Sequence, residues 1–276
     1  MPGLRPCPEL VSNIAVNFMV ETSASLNKRQ QSIIRWVETD GRVSVNDMVR
    51  RYHVTVQTIR RDLSYLSALR LLNRVHGAAE PVNSTKNIAY QERQILNLAA
   101  KQSIANAIAA HIPDNASLFI NIGTTTETIA HSLMQHRGLQ VITNNLHVAA
   151  LMSQKPDFRV IVTSGEVRQT DGGIVGEATL DFIRQFKLDY GLIGISAIDE
   201  EGALLDFDYR EVKVAQAIIG HSRQVFLAAD HSKFGRKAMV QLGNIAQASR
   251  LFTDRPPSSD IVRLMNESGV VLEICR

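Results

Sequence analysis

Three helical periodicities crowd into the first third of the chain. Lys28 to Thr39 carries Ile33, Ile34 and Val37 on one face, and Gly41 follows as a stop signal. Ser44 then precedes a shorter helix with Val45, Met48 and Val49 inward, and Asp47 three residues past the serine completes a capping-box pattern. That helix runs to about Tyr52, and His53-Val54 makes a tight turn. After Thr55, an N-cap residue, Ile59, Leu63 and Leu66 form an apolar stripe at spacings of four and three, which Val56 extends. Leu71 to His76 alternates loosely until Gly77-Ala78-Ala79 breaks the pattern, which predicts a two-stranded wing with its tip near Gly77. Helix, short helix, turn, helix and wing predict a winged helix-turn-helix over residues 27–80.

Beyond it the rhythm changes. Glu80-Pro81-Val82-Asn83-Ser84 opens a polar linker, set at 81–98. An alanine-rich helical stretch begins near Tyr90 and runs to about His111, with Ala100, Ile104 and Ile108 on one face and Pro113-Asp114 as its stop. Short apolar runs then alternate with helical segments. Leu118 to Ile122, Val141 to Thr143, Arg159 to Thr163, Leu192 to Ile195, Val225 to Ala229, Leu251 to Thr253 and Val270 to Ile274 read as strands. This alternation predicts an α/β domain over 99–276 built on a doubly wound, largely parallel sheet.

Charge sharpens the first prediction. From Lys28 to His76 there are ten Lys and Arg against four Asp and Glu, a net of +6, while the whole chain carries 30 basic and 27 acidic residues, a net of +3. A basic footprint confined to one small domain is what contact with a polyanion requires. On the third helix Gln57, Thr58, Arg60 and Arg61 project away from the stripe. Arg can bond guanine bidentately, Gln can pair with adenine, and a Thr methyl can touch thymine. Candidate contacts to double-stranded DNA are Ser44, Thr55, Gln57, Thr58, Arg60 and Arg61, with Arg74 and His76 placed beside the phosphate backbone by the wing.

Composition narrows the rest. With 276 residues, 45% hydrophobic and 21% charged, the chain is globular and long enough for two domains. No apolar run approaches the roughly 20 residues of a membrane span, and no membrane partner is expected. Residues 1–26, with Pro2, Pro6 and Pro8, read as a disordered extension rather than a signal peptide, and Met19 is an alternative start. Cys7 and Cys275 lie at opposite ends in no ligand spacing, which suits a reducing cytoplasm. The eight histidines show no metal spacing, and neither metal nor cofactor is expected.

The second domain's candidate chemistry gathers where parallel sheets bind ligands, at the carboxyl ends of strands. Gly123-Thr124-Thr125-Thr126 opens a helix and offers N–H groups, hydroxyls and a helix N-terminus to an anion. Asn144 and Asn145, and Ser164-Gly165, follow other strands. Lys233, three residues past Asp230, can supply counter-charge. Arg168 and Asp171 can bind phosphate and hydroxyls, and Asp206 is a further candidate carboxylate. These residues make up a candidate site for a small phosphorylated effector. The rival reading is a sugar-phosphate isomerase carrying a DNA-binding module, with Asp171, Asp206 or Asp230 as base. No spacing marks one of them for that role.

Thr58-Ile59-Arg60-Arg61-Asp62-Leu63 with Leu66, then Arg74-x-His76-Gly77, resembles the signature of the DeoR family of transcription regulators. Ile122 to Thr125, Thr143 to Asn145, the Gly165–Asp171 turn and Asp230 to Gly235 are similar to later family segments, so the resemblance spans about residues 26–275. It implies a non-enzymatic repressor that forms homo-oligomers, binds operator DNA, and releases it when a phosphorylated sugar or polyol occupies a C-terminal domain resembling sugar-phosphate isomerases. Asn121 to Glu127, Gly176 to Ile183 and Leu205 to Tyr209 are similar to the branch whose effector is glycerol 3-phosphate; other phosphorylated sugars stay open. Two departures stand out. Ala78 occupies a position where many members have glycine, and Ala215-Gln216 replaces a Lys-Arg pair.

Overall fold

A computed structural model describes residues 26–40, 43–69, 71–75, 77–80 and 90–276. The expected extension up to residue 25, most of the expected linker, Gly41 and His76 lie outside the described residues. The chain divides into two compact units, Met1–Ser84 and Thr85–Arg276.

In the first unit, α1 (Lys28–Asp40), α2 (Val45–Tyr52) and α3 (Val56–Ala68) follow the expected order. Ser44 caps α2 by accepting the Asp47 N–H, and His53 ends it in the left-handed region at φ 51°. Thr55 caps α3 through the Thr58 N–H. Ile33, Val37, Met48, Ile59, Leu63 and Leu66 close into one core. Val56 departs from expectation. It is 37% exposed at the first position of α3, outside the buried stripe of Ile59, Leu63 and Leu66. The wing is β2 (Asn73–Val75) against β3 (Ala78–Glu80), antiparallel, with Gly77 turning between them at φ 71°. A third strand, β1 (Val43–Ser44), pairs with β3. Two residues are too few to show as alternation in a sequence.

The second unit opens with α4 (Tyr90–Ile95) and α5 (Leu98–Ala110). These were expected as one continuous stretch, with residues up to 98 counted as linker. Instead Asn97 sits at φ 53°, in the left-handed region that breaks an α-helix. Its side chain donates to Asp230 Oδ1 at 2.9 Å, which repays the local conformation.

Seven parallel strands form the main sheet: β4 (Ser117–Ile120), β5 (Gln140–Thr143), β6 (Arg159–Val162), β9 (Leu188–Gly194), β12 (Ser222–Ala228), β14 (Arg250–Thr253) and β15 (Val271–Ile274). Their spatial order is β15-β14-β12-β9-β4-β5-β6. Residues on each strand alternate between faces. Leu118 and Ile120 pack with α5, α6 (Thr124–Leu133) and α7 (Leu146–Met152). Phe119 packs on the other side with α8 (Glu177–Ile183), α9 (Tyr209–Gly220) and α10 (Ser259–Glu267). Helices on both faces explain why these strands read as unbroken apolar runs.

Two small antiparallel additions went unread in the sequence. One is the hairpin β7 (Glu166–Val167) with β8 (Ile174–Val175). The other is a flap of β10 (Ala197–Ile198), β11 (Ala203–Asp206) and β13 (Val240–Asn244). Among the described residues no helix is long and apolar enough to cross a membrane, and no His, Cys, Asp and Glu cluster could hold a metal.

Candidate functional site

On the first unit, α3 presents Gln57, Arg60 and Arg61 to solvent, and none of the three bonds to a described residue. Their polar groups are available to a partner. Thr58 is less free, because its hydroxyl shares a 2.9 Å bond with that of Thr55 while its N–H is bound to the same oxygen. Ser44 likewise gives its hydroxyl to Asp47 at 2.6 Å. Ser44 and Thr55 therefore build helix starts. Arg74 lies exposed on the wing and donates to Ser64 on α3 at 2.9 Å, tying wing to helix.

Asp62 was not singled out in the sequence. It is buried within α3 and accepts from Arg29 Nε at 2.6 Å and Gln30 Nε2 at 3.0 Å, both on α1. The guanidinium's pKa is raised by its hydrogen bond to Asp62. These bonds tie α3 to α1.

In the second unit the strand order reverses between β4 and β9. The chain runs β4, β5, β6 to one side, then returns to place β9, β12, β14 and β15 on the other. Such a switch point leaves a crevice at the strands' carboxyl ends. A narrow cleft lies there, bounded by Gly123–Thr125 after β4 and Gly194–Ser196 at the end of β9.

Gly123 opens α6 at φ 138°. An added Cβ would meet Thr126 Oγ1 only at 3.5 Å, so the backbone conformation and not lack of space requires glycine. The first intrahelical bond runs from the Glu127 N–H to the Gly123 carbonyl. The N–H groups of Thr124, Thr125 and Thr126 are thus left for another acceptor. Thr126 is fully buried and turns its hydroxyl back to the Gly123 carbonyl at 2.7 Å. Thr124 Oγ1 accepts from Lys101 Nζ at 2.9 Å.

Cations dominate the cleft. Lys233 lines it, and its ammonium forms no hydrogen bond or ion pair with a described residue. Burial lowers its pKa, with Asp230 opposing. Arg236, on the same loop, stacks over Phe207 at 5.1 Å and donates one long bond of 3.3 Å to the Ser196 carbonyl. Its Nη2 is buried without a partner, as is Nε of Arg93 from α4. Each unpartnered buried donor costs roughly 1–3 kcal/mol. Lys101, behind Thr124, has its pKa lowered to about 8 by burial and then by Lys233.

Carboxylates close the opposite wall. Asp206 accepts from Ser196 and from the Phe207 N–H, and burial raises its pKa. Glu211 is pushed up to about 7 by burial and by Asp206, with Arg168 opposing. Arg168 does not present a free charge to the cleft. Its guanidinium is engaged by Asp171 at 2.6 and 2.9 Å, Glu211 at 2.8 Å and Asp208 at 3.1 Å.

Of the expected effector residues, the fold brings Gly123, Thr124, Thr125, Asp206 and Lys233 to one cleft. The others support its walls. Asp171 holds Arg168. Asn145 caps α7 and donates to Glu127 at 2.9 Å. Asn144 donates to the Ile174 carbonyl at 3.1 Å, with its Oδ1 buried and unpartnered. Asp230 accepts from Ser232 and Asn97; burial works against its charge, but Lys233 and Ser232 outweigh that and hold its pKa low. Arg93, Lys101, Glu211 and Arg236 were missed. Arg236 follows Lys233 by three residues and was within reach of a sequence argument; Arg93 lies in what read as linker, and nothing local marks it.

Residues 29–85 match the model of the DeoR-like helix-turn-helix domain, and residues 96–255 that of the DeoR C terminal sensor domain. The chain is 46% identical over 248 residues to the glycerol-3-phosphate regulon repressor of Escherichia coli (strain K12), covering 90% of this chain and 98% of that protein. To the protein of the same name from Haemophilus influenzae it is 47% identical over 247 residues, covering 90% and 96%. Among solved structures it is similar to ribose 5 phosphate isomerase A from Neisseria gonorrhoeae, with a TM-score of 0.37 and 13% identity over 52% of this chain and 55% of that one.

Proposed function

The chain belongs to the DeoR family of transcription regulators, and on that premise we propose that it represses genes of glycerol and glycerol 3-phosphate metabolism. It acts in the cytoplasm as a homo-oligomer, holds operator DNA through α3 and the wing, and releases it on binding sn-glycerol 3-phosphate. The near full-length likeness to repressors named for that regulon supports the choice of effector. The observation that carries the sensor reading is the set of buried, unpartnered guanidinium nitrogens facing a helix N-terminus at the switch point.

Phosphate oxygens suit Lys233, Arg236 and the N–H groups of Thr124 and Thr125, since charge-assisted bonds in a screened cleft are the strong ones. Asp206 and Glu211 suit the hydroxyl end as acceptors. We read the cleft as a sensor and not a catalytic centre: Asp171 and Asp230 are occupied by structural partners, and Asp206, which lines the cleft, already accepts from Ser196 and the Phe207 N–H. Release requires that effector bind the DNA-free arrangement more tightly than the DNA-bound one.

The test is a Lys233→Ala variant, titrated for operator binding with and without glycerol 3-phosphate. It is expected to bind operator as the parent does and to ignore the effector. Normal release would remove Lys233 from the site. Calorimetry with glycerol 3-phosphate beside ribose, fructose and glucose phosphates checks the choice of effector.

A further inference from the structure

Arg93 does not belong to the sheet that forms the cleft. It comes from α4, the first described element after the DNA-binding unit in sequence. Its side chain is 16% exposed and lines the cleft with Lys233 and Arg236. Among the described residues its one ion pair is to Asp171 at 3.7 Å, too long for a hydrogen bond. That carboxylate is already held at 2.6 and 2.9 Å by Arg168. Nε is buried with no acceptor. A guanidinium drawn into a cleft and left unsatisfied there is positioned for a ligand with spare acceptor oxygens.

We propose that Arg93 is a ligand of the effector's phosphate, and that by making this contact it fastens α4 to the sensor sheet. The inference rests on the effector reading given above. Among the described residues Arg236 Nη2 and Arg93 Nε are buried donors without a partner, and a phosphoryl group has enough oxygens for both as well as for Lys233. The bond would close a loop through the fold. Arg93's own carbonyl accepts from Lys101 Nζ, whose ammonium also reaches Thr124 at the helix N-terminus. Tyr90, one turn earlier, donates to Glu127 on α6 at 2.7 Å and stacks on His147 at 5.5 Å. Without ligand, α4 is held at Tyr90 and by the Arg93 carbonyl, while its charged side chain has the 3.7 Å contact to Asp171 and no hydrogen bond among the described residues. With ligand it is held at all three. Occupancy is thereby reported on the segment that leads to the DNA-binding unit, with no rearrangement of the sheet required.

The experiment compares the full-length protein with Arg93→Gln, Arg93→Lys and Lys233→Gln. Glycerol 3-phosphate affinity is measured by calorimetry, and amide hydrogen exchange over residues 90–97 with and without saturating glycerol 3-phosphate, with glycerol as control. Thermal melts confirm that each variant is folded. The parent is expected to slow exchange over 90–97 by tenfold or more with glycerol 3-phosphate and not with glycerol. Arg93→Gln should weaken binding tenfold or more and lose that protection even at saturation. Arg93→Lys should recover part of the affinity, and should carry the comparison if Arg93→Gln does not fold. Unchanged affinity in both Arg93 variants, with Lys233→Gln impaired, overturns the role of Arg93 alone. Failure of the parent to bind glycerol 3-phosphate or any phosphorylated sugar overturns the effector reading and this inference with it.

Discussion

Lys101 illustrates how much a single side chain can change with its surroundings. It is 3% exposed, bonded to a threonine hydroxyl and a carbonyl, and has no carboxylate in ion-pair contact among the described residues. Burial first, and then Lys233, lower its pKa to about 8 from an ordinary 10.5. Because the pKa is depressed, the ammonium is charged below about pH 8 and neutral above it. A bound phosphate dianion favours the charged form, so binding takes up a proton in that range. Below about pH 8 the affinity for glycerol 3-phosphate also follows the ligand's own second ionisation near 6 and Glu211, pushed up to about 7, so the Lys101 effect is read above pH 8. There the affinity should fall by up to tenfold per unit. Calorimetry at pH 8.5 in two buffers of different ionisation enthalpy should show the uptake directly, and identical enthalpies would contradict it.

Elements depend on side chains far away in sequence. The helix starts at Ser44 and Thr55 and the stripe at Ile59, Leu63 and Leu66 were legible because each is set by residues within a turn or two. Asp62 was not, since its partners Arg29 and Gln30 lie 33 and 32 positions away. Asp62→Ala would strip α3 of both bonds to α1 and cost about 2 kcal/mol, as expected for hydrogen bonds to a charged group. Trp36 on α1 is the chain's one tryptophan, so its fluorescence follows unfolding of this unit in the intact protein. The variant's fluorescence transition should move to lower denaturant, and an unmoved midpoint would mean the pair contributes nothing. In the second unit the parallel strands were legible as apolar runs, because both faces are buried. The flap strands and the Asn97 break were not. β10 and β11 are two and four residues long, and a left-handed asparagine inside an alanine-rich stretch looks like any other helical residue.

For the whole molecule, the two candidate surfaces differ in kind. The DNA-reading face is exposed and its charges are solvated, so its affinity should fall steeply with salt. Gln57→Ala is expected to cost about 1–3 kcal/mol at one base position and leave the salt slope unchanged. Arg74→Ala should lower the slope by about one unit across all sequences. Anisotropy titrations of operator and unrelated DNA between 50 and 200 mM salt separate the two; equal slopes for parent and Arg74→Ala would take Arg74 off the backbone. The cleft was half legible as a whole. Polar turns at strand ends could be lined up from sequence, but only the strand order shows which two strands part to make room.

That parting also divides labour in a way a protein engineer can use. The parts proposed to hold the anion, Gly123 to Thr125 and Lys233, follow strands of the main sheet, whereas Asp206 closes the flap strand β11. The flap touches the sheet's interior through few side chains, Ile198, Leu204 and Leu242 among them. Residues 197–206 can therefore be diversified as a cassette to retarget a biosensor towards longer phosphorylated sugars, with Ser196 and Phe207 kept because they hold Arg236.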